Sequence, residues 1–313
     1  MEGTSFEHPK RGEFALIETI RRHAAASAMV PVGIGDDCAV VNAPGGQMVI
    51  TTDLVNEGVH FKPDDPLRKV GWKAAAVSFS DVAAMGLRPE VLLCAAALPG
   101  RLTMDDAREI FLGVNDACRE FGVALAGGDT TSSRGGLSLC TTVLAYARDL
   151  RPVLRSGAKP GDAIVVTGSL GGSILGRHLD VRPRVEEAVA LNSRFELHAM
   201  IDISDGLSAD LNHILEESSV GAVIDADRVP VSDAAREFSE QTRKTPLQHA
   251  LTDGEDFELL FTMPPGEAQR LIERPPFGTP LTVIGSITAA GLSIRIGDKT
   301  EPFEPGGYEH FVE

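Results

Sequence analysis

The chain has 313 residues, of which 43% are hydrophobic and 24% are charged, and its formal net charge is −16. This composition excludes a disordered or collagen-like chain, and the length is sufficient for two domains of roughly 100–200 residues each. So acidic a chain repels a phosphate backbone, which argues against nucleic acid as a partner. A small phosphate ligand can still bind where metal cations stand between it and the carboxylates.

Membrane and secretion signals are missing from the sequence. The N-terminal MEGTSFEHPKRGEF has no apolar run like that of a secretory signal. The longest strongly apolar stretch, 91–98, is much shorter than the roughly 20 residues that span a bilayer. The four cysteines form no CxxC pair, which suits a reducing compartment. We therefore expect a cytoplasmic protein without a membrane partner.

The first half of the chain alternates amphipathic segments with short apolar runs. Helical spacing of apolar residues predicts helices, and short apolar runs between turn residues predict strands. Thr103 has the position of an N-cap and Gly122 that of a C-cap for one of these helices. The predicted helices are 13–28, 70–85 and 103–121, and the predicted strands are 38–41, 47–53, 90–98, 123–126 and 137–147.

A linker is predicted at 148–162, which contains two prolines and two glycines and shows no periodicity. It divides the chain into predicted domains 1–148 and 149–313. Beyond it, strands and helices are mixed without strict βαβ alternation, so the predicted fold class is α+β. The predicted strands there are 163–167, 222–225, 258–263, 281–287 and 292–296, and the predicted helices are 185–198, 206–217, 233–240 and 266–273.

Aspartates recur beside small residues at the ends of apolar runs. Turn chemistry explains any one of them, because Asp favours turns and helix caps. Taken together, carboxylates from several loops can converge on a hard cation, and Mg²⁺ prefers oxygen ligands. The motifs are GIGDD (33–37), TTD (51–53), GGDTT (127–131), IDISDG (201–206) and GED (254–256).

Asp81 is the most informative of these carboxylates. It lies in the segment KAAAVSFSDVAAM (73–85), which is almost entirely apolar or small and predicts a helix buried on nearly all sides. A buried carboxylate costs several kcal/mol unless it is paired or bound to a metal. Asp81 is therefore a candidate metal ligand, and an ion pair with an arginine is the alternative.

Familiar nucleotide and hydrolase motifs do not occur. The sequence has no GxxxxGK[ST], no GxGxxG after a strand, no protein-kinase motif and no HExxH. The turn GSLGGS (168–173), between a predicted strand and a predicted helix, could present backbone N–H groups to a phosphate, with an ordinary tight turn as the alternative. His60, just after the TTD strand, is a candidate substrate contact, although a lone histidine is usually structural.

Several longer blocks, found in order from residue 12 to residue 311, together resemble thiamine-monophosphate kinases. That family is similar to aminoimidazole ribonucleotide synthetase. The resemblance implies an N-terminal α/β domain, whose sheet pairs in a homodimer, and a C-terminal α/β domain. The blocks are GIGDDCAVV, TTDLVNEGVHF, WKAAAVSFSDVAAMG, GGDTT, LRSGAKPGDAIVVTGSLG, MIDISDGLSADL, GEDFELLFT and GYEHF.

The same resemblance implies roles for individual residues where the motifs match. The implied Mg²⁺ ligands are Asp37, Thr51, Thr52, Asp53, Asp81, Asp129, Asp202 and Asp205. The implied contacts to ATP are Gly128, Asp129, Arg155 and Ser204. The implied contacts to thiamine monophosphate are His60, Glu255 and Tyr308.

The implied reaction is ATP-dependent phosphorylation of thiamine monophosphate to thiamine diphosphate. A phosphate monoester near pH 7 already carries about −1.5 to −2 charge, so the acceptor needs no strong general base. We therefore expect direct in-line transfer without a catalytic nucleophile on the protein, assisted by several Mg²⁺ ions that relieve the repulsion between the phosphates.

Three alternatives compete with this reading. A sister enzyme of the superfamily would use another substrate, against which His60, Glu255 and the GYEHF block argue. A selenophosphate synthetase would carry a reactive cysteine or selenocysteine in a glycine-rich N-terminal motif, which this sequence does not have. A non-catalytic nucleotide-binding module would bind ATP without producing ADP when thiamine monophosphate is added.

Overall fold

A computed structural model describes residues 12–308. The first half of this region forms a five-stranded sheet in the order β1-β2-β5-β3-β4, in which only the β3–β4 pair is parallel. Its elements are α1 (Gly12–His23), β1 (Ala39–Ala43), β2 (Gly46–Asn56), α2 (Leu67–Ala84), β3 (Val91–Pro99), α3 (Met104–Phe121), β4 (Ala124–Ser133) and β5 (Ser138–Tyr146).

Helices α2 and α3 pack against each other and cover one face of this sheet. Two glycines permit a very close contact between them. A Cβ on Gly71 would lie 1.9 Å from the carbonyl oxygen of Ile110, and a Cβ on Gly113 would lie 1.9 Å from that of Arg68. The helix backbones therefore touch directly, and α2 is pressed between α3 and the sheet with most of its residues buried.

Within residues 12–308, no helix covers the other face of the first sheet. Leu54, Leu93 and Tyr146 project from three of its strands and are 54%, 41% and 46% exposed. Large apolar side chains that share one open sheet face are typical of a surface that a partner covers.

The second half forms a seven-stranded sheet in the order β12-β11-β8-β10-β6-β9-β7. Its elements are β6 (Ala163–Thr167), α4 (Val185–Arg194), β7 (Ala199–Asp202), α5 (Leu207–Ser218), β8 (Gly221–Asp225), α6 (Asp233–Ser239), α7 (Pro246–Thr252), β9 (Leu259–Met263), α8 (Pro265–Glu273), β10 (Leu281–Thr288), β11 (Leu292–Ile296) and β12 (Lys299–Pro302), with short 3₁₀ turns at Ser173–Leu175, Arg177–Leu179 and Ala226–Arg228.

Both faces of the second sheet are covered by helices. Ile164 of β6 packs in the core formed with α5 and α7, and its neighbour Val165 packs in the core formed with α4 and α8. All five residues of β6 are buried for this reason. A central strand buried on both faces reads as one continuous apolar run.

Most predicted elements are confirmed, with shifted ends. Thr103 caps α3 in a capping box with Asp106, and Gly122 ends it in a left-handed conformation. The predicted helix 185–198 stops at Arg194, because Ala199–Asp202 pairs with β9 as an unpredicted strand. Helix α7 and strand β12 were not predicted either, α1 ends five residues earlier than predicted, and β4 continues through the GGDTT motif.

The segment 148–162 joins the two halves and is tied to both. The Val153 N–H donates to the carbonyl oxygen of Met85, and the Met200 N–H donates to that of Leu154. The division at residue 148 stays a prediction. Within residues 12–308, every helix is too short or too polar to cross a membrane.

Candidate active site

Helix α2 forms the floor of the cleft between the two sheets. Lys73, Val77 and Asp81 follow one another at intervals of four residues, which places them on one side of the helix. Lys73 and Val77 line a cavity of about 540 Å³, to which both halves of the chain contribute. Asp81 lies beyond them in a group of carboxylates, next to Asp53, which also lines the cavity.

Three carboxylates from distant parts of the chain meet in this group. Asp37 precedes β1, Asp81 lies in α2 and Asp202 ends β7, and one oxygen of each lies within 4.8 Å of the others. Burial raises the pKa of all three, and the neighbouring carboxylates raise the pKa of Asp81 further and that of Asp202 to about 7. Three anions this close repel one another unless a proton or a cation lies between them.

The donor set fits a divalent cation. Asp37 Oδ1 accepts a hydrogen bond from Arg155 Nη2 at 2.8 Å, but its buried Oδ2 has no hydrogen-bond partner among the described residues. A buried oxygen left without a partner is costly. Carboxylate oxygens from three separate elements are the ligands that Mg²⁺ takes up, so these residues fit the ion that the sequence implied.

Strand β2 adds two of the predicted ligands to this end of the cleft. Thr51 Oγ1 donates to Asp81 Oδ2 at 2.5 Å, and Ser78 Oγ donates to Asp53. Burial raises the pKa of Asp53. Ser78 and Ser80 were not predicted, although their position beside Asp81 in the buried segment was a usable signal.

Thr52 does not point toward the carboxylate group. Successive side chains of a strand face opposite sides of the sheet, so Thr51 and Asp53 share one face and Thr52 takes the other. Its Oγ1 donates to the carbonyl oxygen of Thr141 at 3.0 Å. A run of three consecutive ligands is therefore not available to side chains of an extended strand.

Within one chain, Gly128 and Asp129 lie far from the carboxylate group. They are exposed in β4, the outer strand of the first sheet, three strands from β2 or about 14 Å at the usual strand spacing. Gly128 has a packing role, because a Cβ there would lie 1.7 Å from the carbonyl oxygen of Cys94. The predicted roles of both residues in binding ATP and metal stay predictions.

Asp205 belongs to a second group of ligand-type side chains. One atom each of Asp205, Asp210 and His213 lies within 4.8 Å of the others. Asp210 was not predicted, and its Oδ2 accepts the backbone N–H groups of Asp205 at 3.1 Å and Gly206 at 3.0 Å. Both Ser204 and Asp205 line the cavity, and their predicted contacts to ATP and metal stay predictions.

Arg155 is a cation held at the carboxylate end. Burial lowers the pKa of Arg155, but the adjacent Asp37 and Asp36 carboxylates more than compensate and raise it above its ordinary value. Burial also raises the pKa of Asp36, to about 7, and Asp37 contributes. The structure thus places a positive charge beside Asp37, and the predicted contact of Arg155 with nucleotide phosphates stays a prediction.

The three predicted thiamine contacts come together in the cavity although they are far apart in sequence. His60, Glu255 and Tyr308 all line it. The Asn56 N–H donates to His60 Nδ1 at 3.0 Å, so the proton of the neutral ring lies on Nε2. The Tyr308 N–H donates to the carbonyl oxygen of Asp205 at 2.9 Å, which holds the C-terminal segment against the cavity.

Lys73 contacts two of these three residues, His60 and Glu255, and was not predicted as a site residue. Its fully buried ammonium donates to Glu255 Oε1 at 2.6 Å and to the carbonyl oxygen of His60 at 2.7 Å. Burial lowers the pKa of Lys73, and Glu255 opposes that shift. The argument that singled out Asp81, a charge inside an apolar helix, applies equally to Lys73 and would have found it.

The glycine turn after β6 uses two of its backbone N–H groups within the protein. The Gly171 N–H donates to Asp256 Oδ2 at 2.8 Å, and the Gly172 N–H donates to Asp253 Oδ2 at 3.1 Å. A 3₁₀ turn, Ser173–Leu175, follows it instead of an α-helix. Of the two alternatives that the sequence left open, these contacts favour the ordinary tight turn, because carboxylates of the protein already accept hydrogen bonds from these two amides.

Comparisons with known proteins identify the family of this chain. Residues 35–147 match the family model of the AIR synthase related protein N-terminal domain, and residues 159–297 match that of the C-terminal domain. A thiamine-monophosphate kinase of Rhodopirellula baltica is 41% identical over 309 residues, covering 95% of this chain and 97% of that protein. The chain belongs to the thiamine-monophosphate kinase family.

Other members of the thiamine-monophosphate kinase family are similar over the same extent. The Escherichia coli protein is 37% identical over 332 residues, covering 96% of this chain and 98% of that protein. The solved structure of AaThiL complexed with AMPPCP and TMP has a TM-score of 0.84 and 32% identity, covering 98% of this chain and 100% of that one. The predicted α+β fold of two such domains is confirmed.

Proposed function

We propose that this chain transfers the γ-phosphoryl group of ATP directly to the phosphate of thiamine monophosphate, giving thiamine diphosphate and ADP. One observation carries the proposal. A single cavity is lined at one side by Asp53, beside the carboxylate group, and at another by Glu255 and Tyr308. The named relatives, and a solved relative complexed with AMPPCP and TMP, support the same pair of substrates.

Asp37, Asp81 and Asp202 would hold Mg²⁺, with Asp53 and Asp205 as further ligands. When bound, Mg²⁺ neutralises the phosphate groups and so relieves the repulsion between donor and acceptor. The residues of the chain prepare this end by their hydrogen bonds. Thr51 holds Asp81, and Ser80 Oγ donates to Asp202 Oδ2 at 2.5 Å, so two of the carboxylates keep a fixed direction.

The remaining polar groups bind and orient the substrates. Arg155 provides a cation for the nucleotide phosphates, and His60 Nε2 donates to the acceptor phosphate. Glu255 balances the cationic thiazolium, and Tyr308 covers a ring face. Because the acceptor is already a phosphate anion, no residue has to act as a strong base, and transfer needs no phosphoryl group on the protein.

A homodimer belongs to this proposal. A second copy of the chain would cover the open face of the first sheet, where Leu54, Leu93 and Tyr146 are exposed. Gly128 and Asp129 lie on the outer strand of that sheet, where their exposure leaves them accessible to ATP. Light scattering of Leu54→Glu tests the dimer: a shift to monomer supports it, and an unchanged mass contradicts it.

Incubation of the purified protein with ATP, Mg²⁺ and thiamine monophosphate tests the reaction. We expect thiamine diphosphate and ADP to form in equal amounts, and thiamine without its phosphate to give no diphosphate. ATP turnover that ignores thiamine monophosphate would indicate a sister enzyme with another acceptor. ATP binding without any ADP would indicate a non-catalytic module.

A further inference from the structure

Lys73 is a charged side chain in a place that normally excludes charge. It is fully buried in α2, where its neighbours Ala74 and Ala75 belong to two different hydrophobic clusters. A buried ammonium is costly unless an anion and hydrogen-bond acceptors compensate it. A methionine or leucine would fill this volume without that cost, so the contacts of the ammonium deserve a functional explanation.

The acceptors of Lys73 are both parts of the cavity wall. Its Nζ donates to Glu255 Oε1 at 2.6 Å and to the carbonyl oxygen of His60 at 2.7 Å. Glu255 belongs to the loop before β9, and His60 belongs to the segment after β2. One buried cation thereby links the two sides of the cleft at the position where the thiamine contacts meet.

The loop that carries Glu255 is strained and needs support. Glu255 and Phe257 have φ angles of 64° and 50°, which L side chains rarely adopt. Such conformations persist only where the surroundings determine them. Asp256 between them points away from the cavity toward Gly171 and Arg177, so it anchors the loop but does not direct the Glu255 carboxylate.

We propose that Lys73 is a positioning residue for thiamine recognition: it fixes the Glu255 carboxylate and the His60 main chain, and so sets the affinity for the cationic ligand. This rests on the proposed function. Removing the ammonium also removes a positive charge near the thiazolium, which by itself would favour binding. That gain is limited, because the released Glu255 side chain, which is 25% exposed, turns toward water instead of staying aimed at the ligand. The loss of a fixed direction dominates.

The experiment compares Lys73→Met with Glu255→Gln and with the double variant. Calorimetry gives the Kd for thiamine monophosphate, and steady-state kinetics give the KM values for both substrates. We expect Lys73→Met to raise the Kd and KM for thiamine monophosphate about tenfold, and to change the KM for ATP less than about twofold. The double variant should be no worse than Glu255→Gln alone, because Lys73 acts through Glu255 and has no carboxylate left to position in that variant.

A matched control comes from the same helix. Lys69 lies one turn before Lys73, is exposed and pairs with Asp180 on the surface, so Lys69→Met should leave both KM values unchanged. If Lys73 acts only on folding, Lys73→Met lowers the Tm without a selective rise in the KM for thiamine monophosphate, and this overturns the proposal. Additive effects in the double variant also overturn it.

Three further outcomes distinguish the role of Lys73 from the proposed function. Should Lys73→Met fail to fold, Glu255→Ala, which leaves Lys73 in place, must still weaken thiamine monophosphate binding while ATP binding stays unchanged, and an unaltered Kd overturns the proposal. Absence of thiamine diphosphate from the wild-type reaction overturns the proposed function instead. A wild-type Kd in folded Lys73→Met, with normal turnover, overturns only the role of Lys73.

Discussion

The two ends of the cleft begin on the same face of α2 but differ in charge. Carboxylates lie close together at one end, and an ammonium pairs with a carboxylate at the other. Lys73 and Asp81 are eight residues apart, about 12 Å along the helix. At the Asp81 end, three carboxylates lie within 4.8 Å of one another, and Arg155 is the cation that the described residues place against them. At the Lys73 end, the buried ammonium and the Glu255 carboxylate balance each other.

In the proposed function, the Asp81 end serves phosphoryl transfer and the Lys73 end serves recognition of thiamine monophosphate. A group of carboxylates that repel one another is poised to take up a cation, which is what a reaction between two anions requires. The pair of Lys73 and Glu255 needs no added cation to hold it together, so it can keep the Glu255 carboxylate in a fixed direction toward a ligand. The following experiments are arranged to break or sharpen that contrast, from the largest expected effect to the smallest.

Asp81→Asn removes one charge from the carboxylate end and keeps the shape of the side chain. We expect kcat to fall by about two orders of magnitude or more, because a major electrostatic contribution is lost. The Tm should stay equal or rise, since burying a neutral amide is cheaper than burying a carboxylate among carboxylates. Asp105→Asn, at an exposed position early in α3, is the control. Near-normal turnover by folded Asp81→Asn would contradict the assignment of Asp81 as a ligand.

The pH dependence of stability tests how Asp256 anchors the loop that carries Glu255. Burial raises the pKa of Asp256 from 3.8 to about 6, although Arg177 opposes the shift. The folded state therefore binds more protons than the unfolded state between these values, and its stability falls as the pH rises from about 4 through about 6. A shift of about 2 pKa units corresponds to about 3 kcal/mol.

Urea denaturation of wild type and Asp256→Asn at several pH values measures this contribution. Asn does not titrate, so the free energy of unfolding of wild type relative to the variant should decrease from pH 4 to pH 6 and then level off. A constant difference across this range would show that Asp256 does not have a raised pKa.

Chelation of divalent cations tests whether the carboxylate end depends on a metal to accept nucleotide. With a net charge of −16, the protein should bind ATP at least about tenfold more weakly in chelator than with Mg²⁺. Calorimetric titrations in both conditions give the two Kd values, and added Mg²⁺ should restore the higher affinity. Equal affinity would mean that Arg155 and backbone N–H groups suffice.

Tyr308→Ala tests the proposed thiamine contacts without changing the carboxylate group. Loss of ring stacking should raise the KM for thiamine monophosphate about fivefold, which is about 1 kcal/mol, and leave the KM for ATP unchanged. Tyr308→Phe keeps the ring and should behave like wild type. If Tyr308 only anchors the C-terminal segment, the Ala variant will lower the Tm without a selective kinetic change. A parallel loss of ATP affinity would also contradict the assignment.

Local signals in the sequence predicted much of the scaffold. The ends of α3 follow from Thr103 and Gly122, whose capping chemistry acts over one helical turn. Strand β7 was not predicted, because its four residues become a strand by pairing with β9. Tertiary hydrogen bonds decided that element, and no local propensity encodes them.

The sequence by itself identified the candidates for the chemistry: a lone carboxylate in an apolar helix, aspartates beside small residues, and His60, Glu255 and Tyr308 in blocks that resemble one family. Only the tertiary structure decided which of them meet. It turned Thr52 away from Asp37, because adjacent residues of a strand face opposite sides. It also placed Lys73 against Glu255, 182 positions later in the chain. Burial makes the Lys73 contact costly to change, since a charge out of water must find its partner wherever the fold brings one.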